Sequence, residues 1–181
     1  MQRQHVRLAA IIVPGGLAVL GSYAHGLLVY PEAVAAMWGG VPEALRPLYT
    51  VWMFVAAAGF FAYTSYLFRA VDPDGARVGG FGFGLFHGLY AVILVGSTLW
   101  MPLTRVMVES PGSAIWTAIV VDLALVGLAS LGLIVALVAL RPRPAPRPAP
   151  RWHRLAVAGA CAFAFQTALL DAVIWPLAYP H

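Results

Sequence analysis

Residues 114–140 read AIWTAIVVDLALVGLASLGLIVALVAL, and this stretch decides the fold. Asp122 is the only ionisable side chain among its 27 residues, and about 20 apolar residues suffice to carry a helix across a bilayer core. Four further windows meet the same length criterion, at roughly 8–30, 47–68, 79–101 and 155–178. The pattern predicts an all-α integral membrane protein, a five-transmembrane-helix bundle forming one domain over residues 1–181.

Composition supports this reading. The chain is 61% hydrophobic and 10% charged, with a mean hydropathy of +0.83, whereas soluble domains carry about 25% charged residues. The net charge of +4 comes wholly from arginine, since lysine is absent. These arginines gather at helix ends, where anionic lipid heads explain them, and no exposed basic domain remains to meet nucleic acid. Cys161 is the only cysteine, so neither an intrachain disulfide nor a cysteine-based metal cluster can form.

Orientation follows from the same arginines. Arg3, Arg7, Arg69, Arg77, Arg141, Arg143, Arg147, Arg151 and Arg154 fall on one side, and only Arg46 and Arg105 on the other. The positive-inside rule then places the N-terminus in the cytoplasm and the C-terminus outside, in an inner (plasma) membrane. Trp38, Trp52, Trp100, Trp116 and Trp175 mark the outer side, and Trp152 the inner one.

The segments between spans differ in character. Residues 31–46, PEAVAAMWGGVPEALR, suit either a short interfacial helix over the outer mouth or a plain connector. Residues 141–151, RPRPAPRPAPR, form an extended, semi-rigid linker, because alternating proline forbids a helix. The first span has two readings. Arg3 and Arg7, an apolar run and Ser22-Tyr23-Ala24 resemble a cleaved signal peptide. The apolar character continues through Tyr30, however, which favours a retained helix. Gly80, Gly84 and Gly88 recur every four residues and predict a face for close helix packing, within the chain or between chains.

Four ionisable residues within the spans carry the functional question: His25, His87, Asp122 and Asp171. A charge at the bilayer centre costs at least about 2.5 kcal/mol, so such residues pair, face a polar cavity or do chemistry. Counted from Tyr30, Trp116 and Trp175, the residues His25, Asp122 and Asp171 lie about 6 to 9 Å inside the outer edge. The same counting from Trp100 puts His87 about 20 Å down, near the midplane. Tyr63, Tyr90 and Gln166 fall between, which sketches a polar cavity open to the outside and narrowing toward His87.

These residue types suit a proton relay, or binding of a small molecule or cation with proton-coupled transport. Asp122 and Asp171, if adjacent, would share a proton or a cation. They equally suit acid-base catalysis on a lipid or isoprenoid, with His25 as the acid. A third class is an accessory subunit docking through the glycine stripe. No cofactor can be named. Bis-histidine haem would need His25 and His87 at one depth, and no HxxxH or ExxH pair supports a metal site. The partners to expect are membrane lipids, the small molecule or cation, and a second copy or a larger membrane complex.

Overall fold

A computed structural model of the chain describes residues 2–31, 37–141 and 150–179. Five helices are long and apolar enough to cross a membrane: α1 (Arg3–Val29), α2 (Arg46–Ala70), α3 (Gly84–Glu109), α4 (Ser113–Ala139) and α5 (Pro150–Ala178). The architecture is all-helical, as expected of a multi-pass membrane protein. The one extended element is a two-residue antiparallel pairing of β1 (Arg77–Val78) with β2 (Leu140–Arg141). Most of the Pro-rich linker, residues 142–149, and the centre of the segment between α1 and α2, residues 32–36, lie outside the described residues.

The helices run alternately between an arginine-rich end and a tryptophan-rich end. α1 packs on α3, α3 on α4, α4 on α5, and α5 on α2. Without a hydrophobic drive between helices in lipid, contact depends on how closely backbones approach. The α2–α5 seam achieves this with Gly59 against Gly159, where a Cβ on Gly159 would meet the Gly59 carbonyl oxygen at 2.8 Å. His5 ties α1 to α2 by donating from Nε2 to the Leu67 carbonyl at 3.1 Å.

The third span is displaced from the apolar window that predicted it. Residues 79–83, GGFGF, form a turn instead of a helix: Gly79 takes φ +57, and Val78 and Phe81 exchange backbone hydrogen bonds of 2.9 Å. Glycine adopts that left-handed conformation without a Cβ clash. At its other end α3 continues through Pro102 to Glu109. Proline has no N–H for the carbonyl four residues back. That carbonyl belongs to Thr98, and Ser22 of α1 donates to it at 2.9 Å.

This displacement corrects the glycine stripe. Gly80 sits in the turn, and a Cβ on Gly80, Gly84 or Gly88 would meet nothing within 4 Å among the described residues. The stripe is therefore no packing face between helices of this chain. The close approaches occur at Gly59, Gly159 and Gly127 instead.

Two buried clusters fill the bundle. The larger, toward the arginine-rich end, includes Leu8, Leu67, Phe83, Phe86, Leu133 and Leu137. The smaller, at the tryptophan-rich end, includes Val41, Tyr49, Ile119, Leu123, Leu170 and Trp175. The segment between α1 and α2 closes over this second cluster. Trp175 donates from Nε1 to the Met37 carbonyl at 3.0 Å, and Gly39 and Gly40 lie against Tyr179 and Ala178.

Candidate functional site

The tryptophan-rich half of α5 departs from ordinary helix geometry. Residues Phe165–Ile174, FQTALLDAVI, form a π-helix, whose backbone bonds run to the fifth residue back. Pro176 follows directly and supplies no N–H, which removes an α-type bond where the widened segment ends. Two α2 side chains steady the carbonyls of this region. Tyr49 donates its hydroxyl to Leu170 O at 3.3 Å, and Trp52 donates Nε1 to Ala162 O at 3.2 Å.

The wider winding sets the site. In an α-helix, residues five apart stand about 140° apart around the axis. In the π segment they meet, and Gln166 Nε2 donates to Asp171 Oδ1 at 2.7 Å. Thr167, which α-helical spacing would pair with Asp171, instead shares a 2.8 Å hydrogen bond with Ser130 of α4.

Asp171 is partly buried. Tyr23 of α1 and Tyr49 of α2 both lie within electrostatic reach of its carboxylate. Tyr23 stacks on Trp100 of α3 at 5.8 Å between ring centroids, and Trp100 meets Trp175 edge-on at 6.3 Å. Tyr49 meets Trp38 edge-on at 6.2 Å. The only ion pairs among the described residues join Arg46 to Glu43 and Arg105 to Glu109, both near helix ends. Asp171 is thus an acid with no ion-pair partner among the described residues, held by a neutral amide.

The other residues expected at the site divide. Asp122 is buried on α4 and turns toward α3, where its Oδ1 lies 2.9 Å from the position a Cβ on Gly96 would take. Its Oδ2 is buried with no hydrogen-bond partner among the described residues. Among the described residues no hydrogen bond joins Asp122 to Asp171, so the two carboxyls do not form a bonded dyad. His25 does not join either acid. It is exposed on α1, with its ring edge-on to Tyr30 at 5.5 Å. Arg105 covers that tyrosine at 3.8 Å.

The depth expected for His87 is corrected as well. With α3 starting at Gly84, His87 lies in the first turn, and its Nε2 donates to Gln4 O at the start of α1 (3.0 Å). His25 and His87 therefore stand near opposite ends of parallel helices and cannot flank one porphyrin. Among the described residues, no three His, Cys, Asp or Glu side chains converge as metal ligands.

Deeper in the bundle, Tyr63 and Tyr90 are fully buried with ring centroids 5.9 Å apart. The Tyr90 hydroxyl shares a 2.7 Å hydrogen bond with Thr64, whereas the Tyr63 hydroxyl and Gln166 Oε1 have no partner among the described residues.

Tyr23, Tyr49, His5 and His153 escape the sequence reading. The tyrosines pass for interfacial aromatics, and only the register of the helices brings them within electrostatic reach of Asp171. The two histidines sit near helix starts, and His153 donates to Leu137 O at 2.9 Å. Compared with models of protein families, with curated proteins and with solved structures, the chain matches none.

Proposed function

We propose that this protein binds a small organic cation, of the amine or ammonium class, at an intramembrane site centred on Asp171. The observation that carries the reading is the partly buried acid with no basic partner among the described residues, within electrostatic reach of Tyr23 and Tyr49, of which Tyr23 stacks on Trp100 and so connects to Trp175. An uncompensated carboxylate in a low-dielectric setting attracts a cation strongly, and ring faces add about 0.5 to 2 kcal/mol for a desolvated ammonium. A hard metal ion would instead require several oxygen ligands.

In this reading the protein is a multi-pass protein of the inner (plasma) membrane with the N-terminus in the cytoplasm and the C-terminus outside. Nine arginines against two support that orientation. The site then opens on the outer side, beneath the loop that crosses Trp175. The separation of His25 from both acids removes the acid-base pair that a lipid-modifying enzyme would use, which favours binding over catalysis.

The test is calorimetric titration of the purified full chain with tetramethylammonium and a series of primary amines. Asp171→Asn keeps the shape and the Gln166 contact while removing the charge, and weakens binding by about 100-fold, or about 2.7 kcal/mol. Unchanged affinity in that variant sinks the proposal.

A further inference from the structure

A second set of polar groups leads away from Asp171 through the bundle. It begins with the Asp171–Gln166 pair on α5. One turn nearer the arginine-rich end, Phe163 packs against Tyr63 of α2, ring centroids 5.9 Å apart. Tyr63 neighbours Tyr90, whose hydroxyl is bonded to Thr64. Tyr66 lies a further turn along α2, against the ring of His153 at 5.6 Å. His153 is only partly buried and opens to the arginine-rich end. From Asp171 to His153 the span is about 25 Å along the helix, most of the roughly 30 Å hydrocarbon core.

Two atoms on this line are buried without partners, Gln166 Oε1 and the Tyr63 hydroxyl. Buried polar atoms normally find a partner, and in a polar interior that partner is ordered water. Phe60 and Phe163, with ring centroids 6.0 Å apart, are the apolar side chains beside this break in the line. An unpartnered hydroxyl in lipid surroundings is costly, and such groups persist where they serve a path.

We infer that Asp171, Gln166, Tyr63, Tyr90 and Tyr66 form a water-bridged proton path linking the cation site to the arginine-rich end. The step balances without redox chemistry. A proton entering from the tryptophan-rich side forms an O–H bond on the Asp171 carboxylate. Release to water beside Gln166 breaks that bond. Each hydroxyl along the line then accepts one proton on a lone pair and gives up its own, and the last proton leaves through water near His153. Tyr23 of α1 and Tyr49 of α2 lie within electrostatic reach of Asp171 as phenols, far weaker bases than its carboxylate, and Asp122 of α4 is a second carboxylate that no hydrogen bond joins to Asp171 among the described residues. The inference rests on the same Asp171 site as the proposed cation binding, but it has its own readout.

The experiment places the full chain in phosphatidylcholine–phosphatidylglycerol vesicles containing a pH-sensitive dye, with valinomycin and potassium setting the potential. Wild-type vesicles acidify faster than empty ones, and Tyr63→Phe slows this at least about fivefold, because a hydroxyl relay tolerates no gap. Tyr63→Phe removes only an unpartnered hydroxyl, so a merely structural role predicts unchanged or higher thermal stability with unchanged flux. Wild-type flux equal to that of empty vesicles, or full flux in Tyr63→Phe, overturns the path. Ammonium binding retained in Tyr63→Phe but lost in Asp171→Asn separates the two functions. Flux blocked by Tyr63→Phe in a protein that binds no ammonium leaves the path standing and removes the cation reading.

Discussion

The two ends of the bundle solve the same problem in different ways. At the arginine-rich end, aliphatic and aromatic side chains interlock, and His5, His87 and His153 each donate to a backbone carbonyl on another helix. Two of those acceptors, Leu67 O and Leu137 O, lie in the last turns of α2 and α4, where carbonyls lack helical donors. At the tryptophan-rich end the helix widens, and among the described residues an acid has no counter-ion and Asp122 Oδ2 is unpartnered. A bundle whose histidines reach carbonyls of neighbouring helices at one end, and whose acids lack basic partners among the described residues at the other, has a frame and a site. The contrast is a physical argument for function that no single residue provides.

The contrast breaks most visibly at the seam that holds the frame together. Gly59→Val places a side chain where the Gly159 carbonyl already stands, and helical backbones cannot shift as flexible side chains do. Overpacking of this kind costs about 3 kcal/mol or more, because backbone rather than side chain must give way. Thermal unfolding in detergent should show a large loss of midpoint, accompanied by loss of ammonium binding because α2 carries Tyr49. Stability close to wild type would mean that the α2–α5 seam does not organise the bundle.

Within the site, Pro176→Ala restores an N–H at the end of the π segment and so favours ordinary α-helical winding. Gln166 and Asp171 would then turn apart, and ammonium affinity should fall about tenfold, or about 1.4 kcal/mol, with thermal stability held or raised. Unaltered affinity would show that the widened helix is incidental to Asp171. At the other end, His5→Ala removes one interhelical hydrogen bond, each worth about 0.6 kcal/mol on average in membrane bundles. A small drop in midpoint with full ammonium binding keeps frame and site distinct. A drop in binding as large as that of Asp171→Asn would merge them.

How far the sequence discloses this division depends on the residue. Span number is legible because runs such as 114–140 have no soluble alternative, and Asp122 and Asp171 are conspicuous in them. Asp171 and Trp175 lie four residues apart, so the sequence alone sets Asp171 beside the tryptophans. His87 was misplaced because the third window began in glycines and phenylalanines, which are apolar enough to pass for helix but turn at Gly79. The Gln166–Asp171 pair was hidden for a different reason. Helical spacing assumes α winding throughout, so Thr167 looked like the neighbour of Asp171. Tyr23 and Tyr49 were invisible as site residues because which interhelical face they meet is a matter of tertiary register.

The smallest effect concerns the glycines that spacing made prominent and structure left empty. Gly88 lies inside α3, exposed, and a Cβ there meets nothing within 4 Å among the described residues. Alanine is the better helix former by about 0.8 to 1.0 kcal/mol in water, so Gly88→Ala should leave the isolated chain unchanged or slightly stabilised. A second copy or another membrane subunit seated on this face would reverse the sign, since a methyl group obstructs the close approach that glycine permits. Size-exclusion chromatography of the variant, with its thermal midpoint, therefore distinguishes an open lipid-facing stripe from a docking face. Raised stability with unchanged mass assigns Gly84 and Gly88 to lipid. A shift to lower mass would make them an interface and extend the frame beyond one chain.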